Sequence, residues 1–201
     1  MSAAPVAPAR STAPHAPRIV VLGDSLTAGL GLDPSDAYPA VLQRMLTEHG
    51  YAFDVVNAGV SGDTSADGLR RVDWALDGDV QVLIVALGGN DALRGLPPAQ
   101  MKDNLQRIIT RARQRGIAVL LAGMEAPPNF GDPYTVQFHA VFKDLAASNH
   151  LVFVPFLLEG VAGVDSLNQR DRIHPTARGA VMIAETIWPS LEKMIQTGRN
   201  R

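Results

Sequence analysis

Two short blocks near opposite ends of the chain carry residue types that can do nucleophilic chemistry together. They are Gly23-Asp24-Ser25-Leu26 and Asp171-Arg172-Ile173-His174-Pro175. A serine hydroxyl is a poor nucleophile until a neighbouring base takes its proton. Histidine is the usual base near neutral pH. An acid three residues before it, on a loop entering a helix, can reach Nδ1, set the tautomer and leave Nε2 to face a serine. Acyl transfer is the chemistry such a trio supports. Taken singly, the first block also fits a turn or helix cap, and the second a capping acid beside an incidental histidine.

Acyl transfer also needs donors for the developing oxyanion. Gly59, closing Asn57-Ala58-Gly59, has a backbone N–H expected to be free to point into a cleft. Asn90, in Gly88-Gly89-Asn90-Asp91, would offer its side-chain amide as a second donor. Each of these blocks equally fits a plain turn. Asp63 and Ser65 read as turn and cap residues. Segment 92–98 follows Asn90 directly and is placed to gate a pocket. Met124, Phe130, Tyr134 and residues 157–161 are expected to form an apolar wall, with Asp24, Leu26, Leu93 and Ile173 as further pocket candidates. Arg94 fits either a contact to an anionic headgroup or a solvated loop arginine.

These blocks need a frame that brings them to one rim. Five apolar runs read as strands: 18–22, 53–56, 80–87, 117–122 and 151–154. Several are apolar throughout, as strands covered on both faces tend to be. Helical patterns lie between them at 37–49, 65–76, 99–115 and 134–149. A last helix is predicted from Pro175 through Ile195, kinked or broken at Pro189. Alternating strands and helices predict an α/β fold with a parallel sheet, and a flavodoxin-like order 2-1-3-4-5. Ligands of such sheets bind beyond the carboxyl ends of the strands. Ser25, Gly59 and Asn90 follow the first three strands, and His174 comes after the fifth. Their conjunction is far less readily produced by chance than any one block.

The bulk properties narrow the alternatives. With 201 residues the chain suits one domain, expected over 18–196, between an Ala/Pro-rich disordered tail at 1–17 and a flexible end at 197–201. The net charge of −2 gives no electrostatic reason to expect nucleic-acid binding. There is no cysteine, so disulfides and thiolate metal sites are excluded, and the five histidines show no helical ligand spacing. No apolar run approaches the roughly 20 residues of a membrane span, so stable insertion is not expected. Residues 1–17 do not read as a secretory signal. A receiver-type domain would need a lysine after the fifth strand, where Pro155 stands. A nucleotide-binding module would need a glycine-rich phosphate loop after the first strand, and none follows. A catalytically dead binding protein is disfavoured because every proposed catalytic position is filled.

The four blocks together resemble the SGNH (GDSL-type) hydrolases, and within them the bacterial thioesterase I/lysophospholipase L1/arylesterase branch. Segments 57–65, 87–95 and 154–158 carry the likeness to that branch, which extends over about 18–194. The resemblance implies a three-layer α/β/α sandwich with Ser25 as nucleophile, His174 as base and Asp171 as its orienter. It implies an oxyanion hole of the Ser25 N–H, the Gly59 N–H and the Asn90 side chain. It implies no cofactor and no metal, and a small ester or thioester as substrate. A carbohydrate O-acetyl esterase or an acyltransferase of the same fold is the alternative. Relatives are often periplasmic or secreted; the compartment of this chain is left open, and a monomer is the expected state.

Overall fold

The structure is a computed structural model that describes residues 16–199. Five parallel strands form one sheet in the order β2-β1-β3-β4-β5. They are β1 (Arg18–Gly23), β2 (Asp54–Gly59), β3 (Val80–Ala86), β4 (Ala118–Ala122) and β5 (Val152–Val154). The helices are α1 (Ser25–Ala28), α2 (Tyr38–Glu48), α3 (Ser65–Ala75), α4 (Gly89–Leu93), α5 (Pro98–Gln114), α6 (Asp132–Ser148) and α7 (Ala177–Arg199). Helices α2 and α7 pack together, and α3, α5 and α6 pack in series, so helices cover both faces of the sheet. This is the sandwich and the strand order that the sequence pattern predicts.

Burial explains the strand sequences. The three inner strands are apolar and almost wholly buried, as helices on both faces require. The edge strands β2 and β5 are partly exposed. Two large aromatics, Phe138 and Phe142 of α6, are fully buried and meet edge to face, with ring centroids 5.6 Å apart. Helix α3 opens with a capping box: the Thr64 hydroxyl accepts from the Asp67 N–H while the Asp67 carboxylate accepts from the Thr64 N–H.

The last helix departs from expectation twice. It begins at Ala177 rather than Pro175, because Pro175 is drawn into a bridge with Asn168 and the Thr176 hydroxyl accepts from the Gly179 N–H as the cap. It also continues past Pro189, so of the expected kink or break there is no break. A proline inside a helix costs about 3 kcal/mol. Ile183, Ile187, Leu191 and Ile195 are buried on both sides of it, and burying one such side chain is worth about 1.5–3 kcal/mol. Continuous packing therefore outweighs the missing hydrogen bond. Residues 197–199 continue this helix; of the expected 1–17 tail, residues 1–15 lie outside the described residues, as do 200–201.

Ile84 sits mid-strand in β3 with no exposed surface. Ile84→Ala should lower stability by about 2–5 kcal/mol in equilibrium urea unfolding with an unchanged m value. A loss below about 1 kcal/mol would contradict two-sided burial of β3.

Candidate active site

The site begins where β1 stops. Gly23 ends the strand, Asp24 caps the short helix α1, and Ser25 is its first residue. The Asp24 carboxylate accepts from the Leu26 N–H at 3.0 Å, which tightens the turn that presents Ser25. A side chain at Gly23 would strike Thr27 and the Ala86 carbonyl of β3, so the turn can pack this closely only with glycine. The Ser25 N–H has no hydrogen-bond partner among the described residues, as expected for the first turn of a helix.

Asp24 is buried, and burial pushes its carboxyl up to about 6; the Leu26 N–H, the nearby His174 and the Asn90 amide pull the other way.

His174 comes from the long connection between β5 and α7. The Asp171 carboxylate accepts from the backbone N–H groups of Ile173 and His174, both at 3.0 Å, and its other oxygen meets His174 Nδ1 at 2.7 Å. The bond to His174, followed by those two N–H groups, lowers the Asp171 carboxyl to about 2. An ionised carboxylate only accepts, so Nδ1 carries the proton and Nε2 of the neutral ring is an acceptor. Ser25 Oγ lies 2.8 Å from that Nε2. The loop is braced by Gln169, whose side-chain amide donates to the carbonyls of Leu30 and Pro175, at 2.8 and 2.9 Å. Leu30 lies just beyond the Ser25 helix, so this one side chain couples the histidine loop to the serine turn. Arg172 takes a left-handed backbone conformation, φ 62°, and its guanidinium reaches the Asp165 carboxylate.

The expected role of Gly59 is overturned. The Gly59 N–H is not free: it donates to Asn57 Oδ1 at 3.0 Å. Backbone N–H groups alternate sides along a strand. Val60 N–H bonds the Gly23 carbonyl of β1, so the Gly59 N–H faces the outer edge of the sheet, away from Ser25. Glycine is needed there because a Cβ would run into the Ala28 and Thr27 backbone of α1. Gly62, three residues on, lines the cleft instead. Its φ of 87° favours glycine, and its N–H has no partner among the described residues. The useful signal in the sequence was the glycine beyond the strand end, in Ser61-Gly62-Asp63, not the one within it.

Asn90 lines the same cleft from α4, its Nδ2 standing 3.0 Å from the Asp63 carbonyl and 3.3 Å from Asp24 Oδ2. Asp91 turns inward: its carboxylate accepts from the Ser65 N–H and hydroxyl, at 2.8 and 2.6 Å, tying α4 to the start of α3.

Ser25 and His174 open onto a cleft of about 590 Å³. Asp24, Leu26, Leu93, Met124 and Ile173 line it, as expected, and so do Leu30, Ala126, Phe156 and Leu158. Phe130 and Tyr134 do not line it. Tyr134 donates to the Leu96 carbonyl at 2.9 Å, and the Phe130 ring lies against Tyr134 and Gly95. They brace segment 92–98 from behind because the tyrosine hydroxyl finds its acceptor there, the Leu96 carbonyl. Of 157–161, Leu157 and Val161 are fully buried in the core. Arg94 donates to the Gly62 carbonyl at 2.7 Å, clasping two loops together.

Residues 21–181 match the family described as GDSL-like Lipase/Acylhydrolase. The chain is 44% identical over 178 residues to Esterase TesA of Pseudomonas aeruginosa, a match that covers 88% of this chain and 89% of that protein. The chain belongs to the GDSL-like lipase/acylhydrolase family. Thioesterase 1/protease 1/lysophospholipase L1 of Escherichia coli K12 is 34% identical over 178 residues, 88% of this chain and 84% of that one. The crystal structure of AlinE4, an SGNH-hydrolase family esterase, superposes with a TM-score of 0.76 at 42% identity, covering 91% of this chain and 98% of its own. As a member of this family the chain is a serine esterase acting on carboxylic esters.

Gly59 and Asp24 each lead to a measurement. Gly59→Ala keeps the N–H but drives a methyl into the Ala28 backbone, so it should lower both Tm and kcat; unchanged values would contradict the close approach. Folded Asp24 keeps its proton up to about pH 6, whereas the unfolded carboxyl releases it near 3.8. Between those values the folded state binds more protons, so stability falls as pH rises. Asp24→Asn should therefore be more stable than the parent at pH 8, by on the order of 3 kcal/mol, and lose that advantage at pH 4. Thermal melts at the two pH values read it directly.

Proposed function

We propose that Ser25 attacks the acyl carbonyl while His174 Nε2 takes its proton, with Asp171 holding the imidazole and stabilising it once charged. The observation that carries this reading is the unbroken line from Asp171 Oδ2 to His174 Nδ1, 2.7 Å, and from His174 Nε2 to Ser25 Oγ, 2.8 Å. The oxyanion is received by the Ser25 and Gly62 N–H groups and by the Asn90 amide, residues that all border the cleft; Asn90 keeps its 3.0 Å bond to the Asp63 carbonyl and turns its other N–H from the longer 3.3 Å contact with Asp24 to the oxyanion. His174 then protonates the leaving alcohol or thiol, and water releases the acyl group from Ser25 by the same route.

The substrates are aryl esters and esters of short to medium acyl chains, with thioesters and lysophospholipids as further members of the range. The cleft supports this: apart from the catalytic groups it is walled mainly by leucine, isoleucine, methionine, phenylalanine and alanine side chains, which suit an acyl chain better than a sugar. The names of the relatives, an esterase and a thioesterase/lysophospholipase, support the same range.

Ser25→Ala should lose more than about 10⁴-fold in kcat on a p-nitrophenyl ester while melting as the parent does. Asn90→Ala should lose about 10²–10³-fold. Parent-like turnover by Ser25→Ala would falsify the nucleophile assignment. A chain-length series of aryl esters, run beside acyl-CoA and acetylated sugars, reads the acyl and leaving-group preference; a marked preference for sugar acetates would favour an O-acetyl esterase instead.

A further inference from the structure

Arg71, on α3, lies outside the cleft and yet holds together the parts that surround it. Its side chain is only 19% exposed. Nε–H donates to Asp63 Oδ2 at 2.6 Å, one terminal nitrogen to the Ala58 carbonyl at 2.8 Å, and the other to the Gly23 carbonyl at 2.8 Å. These three acceptors come from three separate places. Gly23 ends β1, immediately before Asp24 and Ser25. Ala58 is near the end of β2. Asp63 follows Gly62 on the loop between β2 and α3.

Two of these acceptors, Gly23 and Asp63, are the roots of the oxyanion donors, and Ala58 ties the same fork to the end of β2. Gly23 precedes the turn that exposes the Ser25 N–H. Asp63 is bonded to the Gly62 unit, and its carbonyl also accepts from Asn90 Nδ2 at 3.0 Å. One rigid planar fork thus connects the supports of all three donors. Lysine, a single point on a flexible stem, cannot span them. Other arginines near α3 behave differently. Arg111 and Arg115 reach Asp73 and the Leu69 and Leu76 carbonyls, contacts that touch none of the cleft-lining loops.

We propose that Arg71 is a positioning residue for the oxyanion hole: its guanidinium sets the spacing and aim of the Ser25, Gly62 and Asn90 donors. The oxyanion forms only as the reaction proceeds, so misaimed donors weaken the transition state more than the bound ester. Displacing such groups by about 1 Å can cost on the order of 10²-fold. The loss therefore falls on kcat and spares KM. The proposal rests on Ser25 being the nucleophile.

The test uses the full chain with Arg71→Lys, Arg71→Met and Asp63→Asn, on a p-nitrophenyl ester. Binding of a trifluoromethyl ketone, which mimics the tetrahedral state on Ser25, is measured alongside. The expected result is a kcat loss of about 10–100-fold for the Arg71 variants and a smaller one for Asp63→Asn. KM should stay within about threefold, and ketone affinity should fall in step with kcat/KM. A purely structural role would lower Tm and active fraction but leave the ketone affinity of the folded fraction unchanged. That result, or kcat within twofold of the parent in folded Arg71→Lys, overturns the proposal. If the Arg71 variants do not fold, Asp63→Asn, which takes the charge from one arm of the clasp and weakens its bond to Nε–H with little change of shape, decides by the same readouts. Unchanged kcat in these variants beside an inactive Ser25→Ala overturns this proposal alone; an active Ser25→Ala overturns the nucleophile reading and this proposal with it.

Discussion

Ser25 Oγ and His174 Nε2 approach to 2.8 Å although one follows the first strand and the other precedes the last helix. A hydrogen bond of that length tolerates little drift, and neither residue can be moved without moving a loop. The parallel sheet makes the meeting possible by sending every strand end to the same rim. Gln169 then locks the histidine loop to the segment after α1. Asp171 spends one carboxylate oxygen on the two backbone N–H groups of its own turn and the other on the imidazole, so loop shape and ring orientation are set by one side chain.

The same rim concentrates buried polar groups, which are costly unless hydrogen-bonded. Asp24, Thr64, Ser65, Asp91 and Asn104 are all buried there. They form linked contacts: Asn104 donates to the Ser65 hydroxyl, Ser65 to Asp91, and Asn90 to Asp24 and to the Asp63 carbonyl. No buried side-chain polar atom lacks a partner among the described residues. Asp24 is the strained member, since burial opposes its charge more than its partners favour it. It remains charged at neutral pH at the expense of stability, a pattern common where a group serves chemistry rather than folding.

Much of this is legible in the sequence. Strands β1, β3 and β4 show as apolar runs because both faces are covered, and Ser25, Asn90 and His174 fall after strands as the rule for parallel sheets predicts. The misreadings share a cause. Gly59 and Gly62 look alike in sequence, and the difference between them is that the Gly59 N–H is turned to the outer edge of β2 and bonded to Asn57, whereas Gly62 lies beyond the strand end on the loop that lines the cleft. Phe130 and Tyr134 are as apolar as Met124, and only the neighbouring carbonyl of Leu96 puts them behind the loop rather than in the cleft. Pro189 is a breaker by local rule and is overruled by packing along α7.

By itself the sequence determined the reaction class and the order of the parts. A serine after the first strand, an Asn-bearing turn after the third and an Asp-x-x-His block after the fifth leave few other uses in one parallel α/β domain. Those are properties of residue type and spacing, which the chain carries locally. The tertiary structure decided which glycine lines the cleft with its N–H unpaired among the described residues, which apolar side chains reach the cleft, and that Arg71 contacts the serine turn and the Gly62 loop from outside it. Those depend on direction, and direction is set by contacts between segments far apart in the chain: the Gly23 carbonyl against Val60, the Ala28 backbone against Gly59, and one guanidinium against three strand and loop ends.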